Sequence, residues 1–289
     1  MKSQSITELS IIIVHHQTPE LLKLCLKSLG KVLISGHHKS DGIENVNKSN
    51  FEIIVVDSTI SRQARDLIRE QYPEIKYIPF KENLGYARGV NIGIQSSCGK
   101  YILILNPDVI VTDGAIEKMA DYMEKHPDIG ILGPKVLNFN GTHQRTFFSY
   151  YKPATIIARR SFLGKFGRFK KELDKFLMAD ADSRKIQTPD WLMGSAIMVS
   201  REAFNKIGGM DERFFMYFED VDWARRFWHN DYKVVYYPEA VIYHYHQRES
   251  SSRMGLLDAV FNNKTRWHIA SAIKFFWKYR NLQKIPIAK

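Results

Sequence analysis

The stretch Tyr101-Ile-Leu-Ile-Leu-Asn-Pro-Asp-Val109 decides the fold. Five apolar residues in succession, bounded by a turn signal, predict a strand buried on both faces, the kind found in a parallel sheet. Asn106, Pro107 and Asp108 end it abruptly. Open α/β sheets bind ligands at the carboxyl ends of their strands. Asp108 therefore stands where a ligand would bind, and it offers the oxygen donor that Mg²⁺ or Mn²⁺ prefers when bridging to substrate phosphates. Taken alone, the motif reads equally well as a turn in which Asp108 only caps backbone groups.

The flanking sequence repeats the pattern. Leu9-Ser-Ile-Ile-Ile-Val14 is a first apolar strand, followed by the polar run His15-His16-Gln17-Thr18. Pro19 marks a helix start, and Leu21, Leu22, Cys25, Leu26 and Leu29 recur at helical spacing. Phe51-Glu-Ile-Ile-Val-Val56 is a second strand and ends at Asp57; Tyr77-Ile-Pro-Phe80 is a short extended segment before the glycine-bearing run Asn83 to Gly93. Strands alternating with helices imply crossover units and a parallel sheet. Three strands each ending on a polar residue are hard to obtain from random turns.

Taken in order, these segments resemble the inverting family 2 glycosyltransferases. The matching residues are Ser10 to Glu20, Val55-Val56-Asp57, Asn83-Leu-Gly-Tyr-Ala-Arg-Gly-Val-Asn91, Leu105-Asn-Pro-Asp-Val109, Trp191-Leu-Met-Gly-Ser-Ala196, Phe218-Glu-Asp-Val-Asp-Trp223 and Tyr243-His244. Each is weak alone; seven in the family's order, over roughly residues 9–248, are specific. Within the family the chain looks most like bacterial rhamnosyltransferases and their galactofuranosyl relatives, which build cell-surface polysaccharides. The resemblance implies an α/β GT-A fold, a Rossmann-like, mostly parallel sheet flanked by helices. Its catalytic domain spans 1–248, with a donor half to about 110 and an acceptor half to about 248. Residues 249–289 form a basic amphipathic helical C-terminal appendage.

The resemblance also assigns roles. Asp108 and His244 become metal ligands for Mg²⁺ or Mn²⁺, although His246 competes for the second place if the register differs. Asp57 matches the residue that accepts the N3–H of a uracil or thymine ring, its alternative being an Asx turn. His15, His16 and Gln17 replace a typical Asn-aromatic-Asn trio, and an imidazole can still stack on a pyrimidine. Thr18 joins that donor edge. Arg88 is positioned to pair with the pyrophosphate, and Gly85, Gly89 and Gly93 let backbone approach the donor closely or serve turn geometry. Asn106 stands where aspartate is commoner; its amide supplies no charge to a metal, but it can bind a ribose hydroxyl or a metal-bound water. Asp220 matches the general base, and Glu219 orients the acceptor or the base. Asp222 caps the helix or pairs with Arg225 or Arg226. Trp191 stacks on the acceptor sugar or sits in the core.

The 289 residues carry a net charge of +11. Residues 145–185 hold 11 Lys and Arg against four acids, and residues 253–289 hold 8 against one, so each segment is +7 and the remainder is −3. Both segments interleave cations with apolar side chains, among them Phe147, Phe162, Phe166 and Phe169 in the first. In the second, Trp267, Ile269, Ala270, Ile273, Phe276 and Trp277 are expected largely on one helical face. Such a helix reads as an anionic membrane-surface segment, or as a face packed on the body or on a second subunit of a homodimer. No groove-reading or base-stacking motif accompanies the charge, which argues against nucleic acid. Cys25 and Cys98 are too few for a disulfide framework and read as small core residues in a reducing compartment. No stretch reaches the length of a membrane span, and residues 1–8 do not resemble a signal peptide. The expected location is cytoplasmic, peripheral on the inner face of the cytoplasmic membrane. Residues 35–50, including His37 and His38, read as a surface loop.

The resemblance implies metal-dependent transfer of a sugar, best guessed as L-rhamnose from dTDP-rhamnose, with inversion, from a dTDP or UDP donor to a glycan or lipid-linked glycan. One rival is a non-catalytic peripheral binding protein on the same scaffold, which would have lost Asp108 or Asp220. Another is a nucleotidyltransferase, which would place a Gly-rich basic loop after the first strand, where His15 to Glu20 provide none.

Overall fold

The computed structural model describes residues 8–35, 51–245 and 262–281. His37, His38 and His246 lie outside these residues, as does much of the basic C-terminal stretch. The first half alternates as expected: β1 (Leu9–His15), α1 (Pro19–Ser35), β2 (Phe51–Asp57), α2 (Arg62–Gln71), β3 (Lys76–Pro79), α3 (Tyr86–Gln95) and β4 (Tyr101–Leu105). These strands lie in the order β3-β2-β1-β4, every neighbour parallel. All residues of β1 and β4 are buried. Ile11, Ile13, Leu103 and Leu105 face one side with Leu22, Cys25, Leu26 and Leu29 of α1. Ile12, Val14, Ile102 and Ile104 face the other, under α3. The helical spacing in the sequence thus created the apolar stripe that covers the sheet.

After the Asn106–Asp108 turn come β5 (Val109–Val111), α4 (Ala115–Lys125), β6 (Ile129–Leu137), β7 (His143–Gln144) and β8 (Phe147–Phe148). Then follow α5 (Pro153–Arg160), a 3-10 turn (Phe162–Lys165), α6 (Gly167–Phe176), β9 (Trp191–Leu192), β10 (Ala196–Ser200), α7 (Arg201–Ile207), α8 (Glu219–Trp228), β11 (Lys233–His244) and α9 (Asn263–Lys278). The sheet continues β4-β10-β6-β11-β5. Here it is mixed: β10 runs antiparallel to β4 and β6, and β5 antiparallel to β11. The apolar run of β4 therefore has a parallel neighbour on one side only. Burial on both faces follows from the helices above and below, and it is indifferent to the direction of the adjoining strand.

The C-terminal helix packs on the body, with only part of the expected face turned inward. Thr265, Ser271, Ala272 and Phe275 are buried, whereas Ile273 and Trp277 are 64% and 63% exposed. Phe275 stands 5.3 Å from the ring of Phe218, and Trp267 4.8 Å from that of Phe215. Lys278 Nζ and Tyr279 Oη reach the buried carboxylate of Asp222 at 2.5 and 2.8 Å. Phe275→Ala is expected to cost about 3–5 kcal/mol, as for other buried Phe truncations; denaturant unfolding that left the midpoint unmoved would contradict this docking. Cys25 is buried as expected, but Cys98 is exposed, since it follows α3 in the turn before β4.

Candidate active site

The carboxyl ends of β1, β2 and β4 form one edge; the chain steps from β1 outward to β2 and β3, then crosses back to lay β4 on the other side of β1. That reversal opens the crevice in which such sheets bind ligands. Asp108 ends the turn after β4, and β5 then pairs with β11 so that His244 is the register partner of Val109. This pairing brings together two residues 136 positions apart: Asp108 Oδ1 lies 3.1 Å from His244 Nε2. His244 Nδ1 lies 3.1 Å from the amide oxygen of Gln144. That contact puts the ring proton on Nδ1 and turns the Nε2 lone pair toward Asp108, the usual outer-shell arrangement of a metal-binding histidine. At that distance the imidazole nitrogen and the carboxylate oxygen can share a proton or hold a metal cation between them. The spacing also matches the roughly 3 Å between adjacent ligands of an octahedral ion with bonds of about 2.1 Å. The residues present fit a divalent cation. Among the described residues no group of three or more His, Cys, Asp and Glu could hold one; Asp108 and His244 are the pair that lies in reach of one another.

The acid pair opens α8. Two consecutive non-glycine residues, Tyr217 and Phe218, take left-handed backbone angles, φ 69° and 70°. Each such residue costs on the order of 1 kcal/mol or more and persists only when its surroundings over-determine it. Phe218 is held by the rings of Tyr151 and Phe275 at 4.7 and 5.3 Å. Asp220 Oδ1 then accepts from Val221 N at 2.8 Å, and Oδ2 from Gly194 N at 3.2 Å. Burial pushes the Asp220 carboxyl up to about 6, against the pull of these N–H groups. Glu219 is buried, its Oε2 bonded to nothing, and burial together with the Asp220 charge pushes its carboxyl well above the ordinary range. A neutral Glu219 donates a hydrogen bond rather than accepting one. Glu219→Gln is accordingly expected to keep turnover within about tenfold of the parent, while Glu219→Ala loses more; equal losses in steady-state assays would contradict a neutral role.

The turn between β9 and β10 joins the two corners. Asn106 N donates to Ser195 O at 2.8 Å, and Gly194 N holds Asp220. Tyr86 Oη donates to Gly194 O at 2.5 Å. Burial raises the Tyr86 phenol well above its usual value, with the charges of Glu219, Asp220 and Asp108 adding to it. Tyr86 thus stands among all three acids. Sequence reading missed Tyr86, Gly194 and Gln144; the only signal was that Tyr86 and Gly194 lie inside matched motifs.

Several expected donor contacts are corrected. His15 is fully buried: its Nε2 accepts from Thr18 N and its Nδ1 meets Asp57 Oδ1, both at 3.1 Å. It has no face for a base; His16, exposed and 3.3 Å from Ser58 Oγ, has one. Asp57 is also fully buried, and its oxygens accept from His15, Thr59 N, Ser61 N and Tyr77 Oη. Burial pushes its carboxyl up, but the bonds from His15, Tyr77 and Ser61 outweigh that and hold it at about 2. As placed, Asp57 braces the edge and has no acceptor left for a pyrimidine N3–H. Gly85, at φ +75°, faces Phe215: an added Cβ would stand 2.5 Å from Phe215 O. At Gly89 and Gly93 an added Cβ would strike Val14 and Ile12 of β1. These glycines serve the packing of α3 against Phe215 and β1. Trp191 is buried, stacked on Phe148 at 4.7 Å, with its indole N–H on Ser149 O; it belongs to the core and cannot stack on an acceptor. Arg88 is exposed on the first turn of α3, and Thr18 and Asn106 are half-buried at the crevice. Asp222 pairs with Arg226 at 3.0 Å as well as with Lys278; Arg225 lies instead over the Tyr279 ring.

This fold and edge are those of a glycosyltransferase, and the family match agrees. Residues 10–223 match the model of glycosyl transferase family 2, to which the chain belongs. It is 29% identical over 197 residues to the N-acetylglucosaminyl-diphospho-decaprenol L-rhamnosyltransferase of Mycobacterium tuberculosis, covering 64% of this chain and 62% of that one. It is 23% identical over 280 residues to the rhamnosyltransferase WbbL of Escherichia coli, covering 94% of each. The chain thus spans less than two thirds of the mycobacterial relative. Among solved structures, the mannosyltransferase PcManGT from Pyrobaculum calidifontis, in complex with GDP-Man and Mn²⁺, superposes with a TM-score of 0.59 at 14% identity, over 96% of this chain and 66% of that one. GalNAc-T7 with UDP, GalNAc and Mn²⁺ gives 0.58 at 14% identity, over 98% and 56%. The GT-A fold is therefore shared with both.

Proposed function

We infer that this chain is a metal-dependent inverting glycosyltransferase that moves L-rhamnose from a dTDP or UDP donor, dTDP-rhamnose before others, to a lipid-linked or growing glycan at the inner face of a membrane. The observation that carries this reading is the convergence of Asp108–His244 and Asp220 on one edge, tied together by the Gly194–Ser195 turn. The sugar follows the two rhamnosyltransferase relatives, and the lipid-linked acceptor follows the mycobacterial one.

Asp108 and His244 would hold a divalent cation, which supplies charge neutralisation to the leaving diphosphate. Asp220 takes the proton from the acceptor hydroxyl as its oxygen bonds to the anomeric carbon; the bond to the diphosphate breaks on the opposite face, which inverts the configuration. Gly194 N–H and Val221 N–H fix the carboxylate for that transfer. Glu219, neutral, is placed to donate to a substrate oxygen beside it. A non-catalytic scaffold would have no reason to keep both corners assembled. Calorimetric titration of a nucleotide-sugar panel with Mg²⁺ or Mn²⁺ tests the reading: dTDP-rhamnose should bind most tightly, and a panel in which nothing binds would overturn it.

A further inference from the structure

Among the described residues no helix is long and apolar enough to cross a membrane, so contact with a lipid-linked acceptor calls for a surface. We propose that the α5–α6 hairpin docks on an anionic lipid surface, with Phe162 and Phe166 entering the headgroup region. The proposal deepens the reading above and rests on it for the acceptor, though the surface itself is argued from geometry.

Phe162 is 73% exposed, Phe166 63% and Ile157 42%, a concentration of exposed large apolar side chains within ten residues. Their exposure is built in. Gly164 is buried against α5, where an added Cβ would stand 2.1 Å from Ala158 O, and Gly167 has φ +48°. Only glycine lets the connecting turn fold back so tightly, and the turn so formed leaves both phenylalanines pointing outward. The base of the hairpin is anchored: Phe176 is buried, its ring 4.5 Å from Tyr151 and 5.3 Å from Phe148. A rigidly rooted hairpin that holds aromatic side chains in water is costly unless something covers them.

Charge selects what covers them. Lys165, Arg168 and Lys171 are exposed, and no ion pair among the described residues engages them, whereas Lys152 and Lys170 are taken by Glu172 and Asp174. With 11 cations against four acids in residues 145–185, a second copy of this face would meet like charge. An anionic bilayer complements it, each nearby cation strengthening binding about fivefold. The apolar pair on α9, Ile273 and Trp277, lacks this partnership. Lys274 Nζ is bonded to Arg213 O, Lys278 to Asp211 and Asp222, and Arg280 lies over the Trp277 ring. Among the described residues the hairpin, rather than α9, therefore carries the better lipid surface.

Full-length protein should sediment with vesicles of phosphatidylglycerol and phosphatidylcholine at low salt, and neither with pure phosphatidylcholine nor at high salt. Phe162→Ser/Phe166→Ser should weaken this at least about tenfold, and Lys165→Gln/Arg168→Gln/Lys171→Gln by about 10²-fold. Both variants should keep the parent's melting temperature and its turnover on a short soluble acceptor. A parent that ignores anionic vesicles, variants that bind as the parent does, or an aromatic variant that only dissociates a dimer in sedimentation velocity would each overturn the proposal. Absence of turnover in the parent would strike the catalytic reading and leave the vesicle result standing.

Discussion

Asp220→Asn lowers turnover by about 10²–10⁴-fold, the usual share of a general base, and leaves nucleotide-sugar binding nearly unchanged. The amide keeps the shape of the carboxylate but cannot accept the acceptor's proton. It also has one oxygen where Asp220 uses two, so either Val221 N–H or Gly194 N–H loses its partner; that adds to the loss in turnover without reaching the donor. The parent's pH profile follows from the raised carboxyl. Asp220 works only when ionised, and burial places it at about 6, so turnover rises as pH increases through that value and levels above it. The variant loses this limb along with its rate. Near-normal turnover in pre-steady-state assays would hand the role to Glu219. Asp222 is no substitute, because Arg226, Lys278 and Tyr279 already occupy its oxygens.

Asp108→Ala abolishes transfer, and EDTA does the same to the parent until Mn²⁺ or Mg²⁺ is restored. The variant removes one of the two protein ligands that the described residues bring together. It should also lose the metal-dependent part of dTDP binding, measured by calorimetry with and without Mn²⁺, which distinguishes a lost ligand from a lost catalyst. His244→Ala should act in the same direction. Gln144→Leu, which leaves both ligands but removes the partner of His244 Nδ1, should weaken metal affinity by about 10–100-fold. Full activity of the parent in EDTA would sink the metal assignment.

The order of elements was legible because it rests on local patterns. The apolar runs of β1, β2 and β4 and the helical spacing of Leu22, Cys25, Leu26 and Leu29 each fit in a window of a dozen residues. Asp108, His244, Asp220 and Glu219 were legible through motif order. What those motifs do in space was not. His15, Asp57 and Trp191 look like ligand-facing residues in the sequence, since each follows or opens a strand. Their burial depends on partners 40 to 43 residues away, or 20 away for Tyr77.

The sequence by itself determined which residues stand at strand ends, where charge accumulates, and that helices cover a buried sheet, because periodicity and composition act over neighbours in the chain. Tertiary structure decided the rest. The antiparallel entry of β10, the closure of β11 on β5 that sets His244 beside Asp108, and the turn of α9 that buries Phe275 and exposes Trp277 all depend on long-range pairing. Each compares one burial with another across the fold, and the energy that settles the comparison does not exist until the distant segments meet.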